Sequence, residues 1–262
     1  MAGSGPLLEM IGISKRFGAV QALTDVDFAV AEGEVVALVG DNGAGKSTLI
    51  KTISGAEPAD EGIISFAGEK VVISRPQDSQ ALGIATVYQD LALCDNLDVV
   101  ANLFLGREGR RGAALDEIEM ERRSSDLLRS LAAKIPSVRI PIASLSGGQR
   151  QTVAIARSLI GEPKLVVLDE PTAALGVAQT AQVLDLIKRL RERGLAVIVI
   201  SHNLADVNEV ADRIAVLRLG RNAGEFGVGE ASQEDLVAAI TGARTDSAPT
   251  DQARPEPAGG VR

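Results

Sequence analysis

The chain has 262 residues, 45% of them hydrophobic and 24% charged, with a net charge of −8; this is the balance of a globular protein with ample core, and its acidity argues against broad nucleic-acid binding, which wants a basic face. The single cysteine, Cys94, cannot close a disulfide within the chain, which points to a reducing compartment. Residues 1–12 lack a basic segment followed by an apolar run, and no stretch approaches the ~18 apolar residues of a membrane span, so a cytosolic protein, or one held at a membrane by partners, is expected.

In chain order, residues 1–6 are expected to be flexible, and 8–31 read as short alternating strands with turns, an antiparallel β layer. "EVVALVG" (34–40) opens a series of β-rich runs that continues with "IATVYQ" (84–89), "KLVVLDE" (164–170), "LAVIVISH" (195–202) and "RIAVLRLG" (213–220). Strands apolar on both faces indicate a sheet covered on both sides. Helical patterns lie between them. "KSTLIKTISG" (46–55) closes on Gly55, and "QTVAIARSLIG" (151–161) precedes the third run. "VAQTAQVLDLIKRLRERG" (177–194) sets Val183, Leu184, Ile187 and Leu190 on one face and ends in basic residues and Gly194. Strands alternating with helices predict an α/β domain with a mainly parallel core sheet. Residues 97–135 break the alternation: helical, charge-rich and without a clear strand, they suggest a helical insert, with Pro136 and Pro141 bounding the return from it. The tail from about 245 is rich in Pro, Ala, Gly and Asp and is expected to be disordered to residue 262.

"GDNGAGKST" (40–48) fits G-x-x-x-x-G-K-[ST] through Gly40, Gly45, Lys46 and Ser47. Glycines let backbone N–H groups approach phosphate oxygens without a Cβ in the way, and the helix that follows aims its N-terminus at the same anion. Lys46 would reach the β- and γ-phosphates and the Ser47 hydroxyl would hold Mg²⁺. Asp41, Asn42, Gly43, Ala44 and Thr48 complete the nucleotide-binding loop. From average composition this pattern arises by chance in roughly one chain in a hundred of such length. The strand before and helix after, which the chemistry requires, are both present.

That loop gives a purpose to Asp169 and Glu170, adjacent carboxylates at the end of an apolar strand. Alone, such a pair could be a solvated strand end. Beside a phosphate loop, Asp169 is the expected partner of Mg²⁺, whose charge offsets the like-charge penalty, and Glu170 is free to act as general base on water. "LSGGQRQ" (145–151) opens a helix with Ser-Gly-Gly, which could be a plain cap or a second anion site. A second phosphate site in a chain with one phosphate loop makes sense if two copies pair head to tail, each offering this loop to the other's nucleotide.

Together these residues resemble the ATP-binding cassette (ABC) ATPases, the nucleotide-binding subunits of ABC transporters, over about residues 7–240. "GDNGAGKST" is similar to the family's Walker A motif, "LSGGQ" (145–149) to its signature, and "LVVLDE" (165–170) to Walker B with the catalytic glutamate. Gln89 stands at the place of the Q-loop, His202 after "AVIVIS" at that of the switch histidine, and Phe17 in "KRFG" at that of the aromatic that stacks on adenine. The resemblance implies a P-loop NTPase fold, a single ABC ATPase domain over 7–244 with its helical insert at about 90–160, and ATP and Mg²⁺ as ligands. It further implies that Asp169 and Gln89 complete the metal and water shell, and that Ser146, Gly147, Gly148 and Gln149 face the γ-phosphate of a partner subunit, with His202 touching that phosphate. By residue type alone, a lone histidine at a strand end serves structure more often than catalysis, and Phe17 could be core.

Two further stretches, "VYQDLALCDNLDVVANLFLGRE" (87–108) and "DEPTAALGVAQT" (169–180), look like the importers of ribose, xylose and fructose, in their single-cassette form. The expected protein is then an ATPase at the cytoplasmic face of the membrane, powering monosaccharide uptake with transmembrane permease subunits, a second copy of itself and, indirectly, a sugar-binding protein. Only Lys46 to Ser146 separates loop from signature, too short for the coiled coil of DNA-repair relatives; a translation-associated relative would carry two cassettes, and an exporter would share the motor chemistry. One departure stands out: Gly176 occupies the position where the family usually carries an aspartate that couples the two sites.

Overall fold

The computed structural model describes residues 5–112 and 114–243; the expected tail at 245–262, and residues 1–4 of the expected flexible start, lie outside them. β1 (Leu8–Phe17) and β2 (Val20–Val30) come first, and β3 (Val35–Val39) leads through the glycine loop into α1 (Lys46–Ser54). β4 (Glu61–Phe66), β5 (Glu69–Val71), α2 (Pro76–Leu82) and β6 (Ile84–Val87) follow. The helical region holds α3 (Val99–Phe104), the short strands β7 (Arg110–Arg111) and β8 (Ala114–Leu115), α4 (Glu117–Ser130) and α5 (Gly147–Leu159). The chain then runs through β9 (Leu165–Asp169), α6 (Val177–Glu192), β10 (Ala196–Ile200), α7 (Leu204–Val210), β11 (Arg213–Arg218), β12 (Arg221–Gly227) and α8 (Gln233–Thr241).

The apolar runs pair in the order β12-β11-β3-β10-β9-β6, and every pairing except β11–β12 is parallel. All five residues of β3 and of β10 are buried, as a strand covered on both faces requires. Alternation along β3 splits the core in two. Val35, Ala37 and Val39 pack with Val153, Ile155, Val183 and Ile187 of α5 and α6. Val36 and Leu38 pack with α1 residues Leu49, Ile50 and Ile53 and with β1 and β2 residues such as Ile13 and Val26. Val183, Leu184, Ile187 and Leu190, the predicted apolar face of α6, are all buried.

Two details differ from the sequence reading. The antiparallel layer expected from 8–31 has four strands, β2-β1-β4-β5, because residues 61–71 return to pair with β1. β4 buries only Ile64 and Phe66, so its apolar signal is thin. Within the helical stretch at 97–135, where no strand was expected, β7 and β8 form a two-residue antiparallel pairing, Arg110 with Leu115 and Arg111 with Ala114. The helix at 151–161 begins at Gly147 with Ser146 as its cap, as the reading of residues 145–151 expected.

Parallel pairing has one consequence that matters for chemistry. β3, β6, β9 and β10 all end at the same edge of the sheet, the edge where ligands of open α/β sheets bind.

Candidate nucleotide site

Residues 40–48 leave β3 at that edge. Gly40 has φ +153°, and a Cβ there would collide with the Leu217 carbonyl. Gly45, at φ +106°, would clash with Leu23 and with the Ala22 carbonyl. These two positions need glycine because the loop is pressed against β2 and β11, which fixes its shape. The anchoring continues through backbone bonds: Gly220 N–H donates to the Ala44 carbonyl at 2.9 Å, and Thr24 N–H to the Gly220 carbonyl at 2.8 Å. Ala44 is therefore buried, while Asp41, Asn42, Gly43 and Ser47 are exposed and Thr48 is half-buried. The Lys46 ammonium curls back over the loop, donating to the carbonyls of Gly40 at 2.5 Å and Asp41 at 3.0 Å. The brace formed by Ala22, Leu23 and Gly220 was not visible in the sequence; the Leu219-Gly220 turn that ends β11 was its only trace.

β10 lies between β3 and β9, and Ile200 pairs with Asp169. Asp169 is half-buried at the strand end. Burial and the neighbouring Glu170 charge hold its pKa above the usual carboxylate value of 3.8, while Lys46 pulls it the other way. That influence places Lys46 within electrostatic reach of the carboxylate. Glu170 has φ +49°, a strained backbone for a side-chain-bearing residue, held by a bond from its N–H to the Ile200 carbonyl at 3.0 Å. Its Oε2 is buried without a hydrogen bond. His202 Nδ1 lies 2.8 Å from that oxygen, close enough for an ion pair but out of line for a hydrogen bond. The imidazole itself is 74% exposed, so a core role for the lone histidine does not fit.

Gln89 is exposed two residues past the end of β6. Phe17, at the end of β1, is 41% exposed, with the Lys15 ammonium 5.5 Å from its ring centre. The ring is accessible, with a cation beside it, and is no part of the core.

Residues 146–149 sit elsewhere. Ser146 Oγ accepts from Gln149 N–H at 3.4 Å, and Gln149 Oε1 accepts from Ser146 N–H at 3.0 Å, a reciprocal helix cap. A Cβ on Gly147 would press on Leu175, and one on Gly148 on Gln179, each at 3.0 Å. The glycines thus let α5 pack closely on the segment that follows Glu170. Among the described residues, no hydrogen bond or ion pair joins 146–149 to 40–48.

Several polar side chains that the motifs did not single out organise the surroundings. Asn102, fully buried in α3, accepts from Cys94 N–H at 2.7 Å and donates to the carbonyls of Cys94, Leu97 and Asp98. Arg157 of α5 donates to the carbonyls of Leu91 at 2.6 Å and Ala92 at 2.7 Å, and its burial lowers its pKa. Arg150 pairs with Asp95 at 3.0 Å. The segment after Gln89 is thereby tied to the helix that begins at Gly147. An asparagine within "VVANLFL" was the one available signal. Beside this segment runs a groove of about 460 Å³, lined by Tyr88, Leu105, Arg107, Arg157, Gly161 and Pro163 among others.

The site suits a divalent cation with phosphate. It has two adjacent carboxylates, an orphaned buried oxygen on Glu170, and one nearby ammonium. No three His, Cys, Asp or Glu side chains converge as a metal cluster among the described residues. A cation here would need oxygen from Ser47, Gln89, phosphate and water beside Asp169, which is how Mg²⁺ is usually held.

A family profile described as ABC transporter matches residues 23–173. The chain is 48% identical over 215 residues to the xylose/arabinose import ATP-binding protein XylG of Sulfolobus acidocaldarius, covering 82% of this chain and 86% of that protein. It is 44% identical over 247 residues to the fructose import ATP-binding protein FrcA of Rhizobium meliloti, covering 91% and 95%. Against the ribose import ATP-binding protein RbsA 1 of Rubrobacter xylanophilus, identity is 43% over 237 residues, and this chain spans only 47% of that longer protein. Among solved structures, an ATP-binding cassette of an ABC transporter in its ADP conformation aligns with a TM-score of 0.76 at 26% identity, over 90% of this chain and 95% of the other. A dimeric cassette in a post-hydrolysis state bound to ADP and Pi aligns with a TM-score of 0.70 at 28% identity, over 84% and 98%.

Proposed function

The chain belongs to the ABC transporter family, and from that premise we propose that it is the ATP-hydrolysing subunit of an importer that drives a monosaccharide across the cytoplasmic membrane. The observation that carries the hydrolytic part is the Glu170 oxygen, buried without a hydrogen bond 2.8 Å from His202, on the sheet edge that also holds residues 40–48. Monosaccharide import is supported by relatives 48% and 44% identical that are named for xylose/arabinose and fructose import.

In this reading the backbone N–H groups of residues 43–48 and the Lys46 ammonium bind the β- and γ-phosphates. Lys46 exchanges the loop carbonyls it now holds for phosphate oxygens. Phe17 stacks on adenine. Ser47, Asp169 and Gln89 would hold Mg²⁺, which when bound would supply positive charge against the phosphate oxygens. Glu170 holds the attacking water and takes its proton on the carboxylate, while His202 steadies that carboxylate and reaches the γ-phosphate. Rate enhancement then comes mainly from positioned charge and backbone dipoles. Ser146 to Gln149 serve the nucleotide of a second copy of the chain. No helix among the described residues is long and apolar enough to cross a membrane, so the chain would work at the cytoplasmic face through permease subunits. The groove beside Tyr88 and Arg157, tied to the signature helix, is where those subunits would dock.

Uptake of labelled pentoses and hexoses by cells lacking the gene tests the whole reading. Loss of uptake of at least one sugar, restored by the wild-type gene and not by Glu170→Gln, is expected. Unchanged uptake of every sugar tested would overturn the import assignment.

A further inference from the structure

Two loops leave the sheet side by side: residues 170–176 after β9, which carry Glu170, and 201–203 after β10, which carry His202. Before these residues, the loops are joined by the bond from Glu170 N–H to the Ile200 carbonyl at 3.0 Å. Beyond them the join is made by a third party. Thr172 Oγ1 donates to Asp206 Oδ2 at 2.7 Å, and Asn203 Nδ2 donates to Asp206 Oδ1 at 3.0 Å. Asp206, half-buried in the first turn of α7, therefore spends one oxygen on each loop. Asn203 is fixed in turn: its N–H donates to the Oγ of Ser201, which is buried, and its Oδ1 accepts from Ala205 N–H to cap α7.

We propose that Asp206 is a positioning residue for hydrolysis, holding the Glu170 loop and the His202 loop in register through Thr172 and Asn203. Nothing in the motifs names it, and Thr172 and Asp206 are 34 residues apart in sequence. The physical need is plain. Glu170 sits at φ +49° and Ala174 at φ +58°, so the loop between them does not keep this shape by local preference. Side chains outside the loop must hold it. A carboxylate that accepts from both sides closes a frame around the Glu170–His202 pair, fixing where the base points without touching substrate. The inference rests on the assignment of Glu170 and His202 to the hydrolytic step.

Steady-state ATP hydrolysis, equilibrium ATP binding and thermal unfolding of the full chain test it. Thr172→Val and Asp206→Ala should each lower kcat by about ten- to hundredfold, with ATP affinity and the unfolding midpoint close to wild type. Thr172→Ser, which keeps the hydroxyl, should recover most of the rate. The double variant should be no slower than the slower single one, because one linkage is lost only once. The proposal fails if Thr172→Val turns over like wild type, if Thr172→Ser is as slow as Thr172→Val, or if the two losses multiply. It fails equally if ATP affinity or the unfolding midpoint falls along with kcat, since the effect is then structural. Glu170→Gln separates the two levels. A wild-type rate in that variant removes the base assignment and the frame with it, whereas a dead Glu170→Gln beside a fully active Thr172→Val removes the frame alone.

Discussion

At Asp169 and Glu170, four buried residues of β9 deliver two carboxylates to one sheet edge, where burial and mutual repulsion disfavour the charged form of Asp169. The raised pKa has a definite sign in stability. Below the usual carboxylate value Asp169 is protonated in both the folded and the unfolded chain, so it costs nothing. As pH climbs from that value through the raised one, the unfolded chain releases its proton first, and the folded state loses stability. In metal-free, nucleotide-free buffer, Asp169→Asn should therefore melt at a higher temperature than wild type near neutral pH. The gap should close as pH falls below the ordinary aspartate value, toward about pH 3. Thermal unfolding across that range checks it; a variant less stable at neutral pH would mean that Lys46 outweighs burial and Glu170. The same reasoning explains why a site that destabilises its own fold persists, since the charge that burdens the fold is the charge that would hold a cation.

At the level of elements, α5 and α6 meet where Gly147 and Gly148 press on Leu175 and Gln179. The helix that opens on the signature thus rests directly on the segment leaving Glu170. Arg150 and Arg157, further along α5, hold Asp95 and the carbonyls of Leu91 and Ala92 beside the groove. One helix therefore touches the signature, the post-glutamate loop and the segment after Gln89. Gly176 is the weak point in this set. It stands at the N-cap of α6 with no side chain to cap the helix, no acidic residue follows in the first turn, and a Cβ would meet nothing within 4 Å. Its φ of −74° suits any residue. Gly176→Asp should cap α6 and complement its dipole, adding roughly 0.5–1 kcal/mol of stability. For a domain of this size that is a rise of about 1–4 °C in Tm. Calorimetry checks it, and an unchanged or lower Tm would show that the new carboxylate is repelled by its surroundings.

Across the whole molecule, the two candidate phosphate-binding elements, 40–48 and 146–149, have no hydrogen bond or ion pair between them among the described residues. A head-to-tail pair of chains would bring one of each together. The dimeric cassette with ADP and Pi that this chain resembles supports pairing of two chains. Mixing Lys46→Ala with Ser146→Arg tests it, because a mixed dimer keeps one site in which both elements are intact. With half the dimers mixed and one of their two sites working, about a quarter of wild-type hydrolysis should return, if the sites are independent. No gain over either parent would count against a head-to-tail pair with independent sites.

Much of this was written locally. Val-rich runs with helices between them announce a parallel sheet, and the fixed spacing from Gly40 to Ser47 announces a phosphate loop, because both depend on neighbours in sequence. "LVVLDE" shows its two acids at a strand end for the same reason. Other features depend on which strands become neighbours. β4 and β5 escaped reading because Gly62 takes an inward position of β4, leaving only Ile64 and Phe66 as apolar signal, and β5 has just three residues, two of them charged. Phe17 could be assigned to the surface only once it stood at the exposed end of β1 in a second sheet. Insertion of β10 between β3 and β9 is what sets His202 beside Glu170 and Asp206 beside Thr172. Residue types and motif spacing thus determined what chemistry the chain carries. Tertiary structure decided which side chains aim and restrain it, because hydrogen bonds between loops form across distances in sequence that no local pattern records.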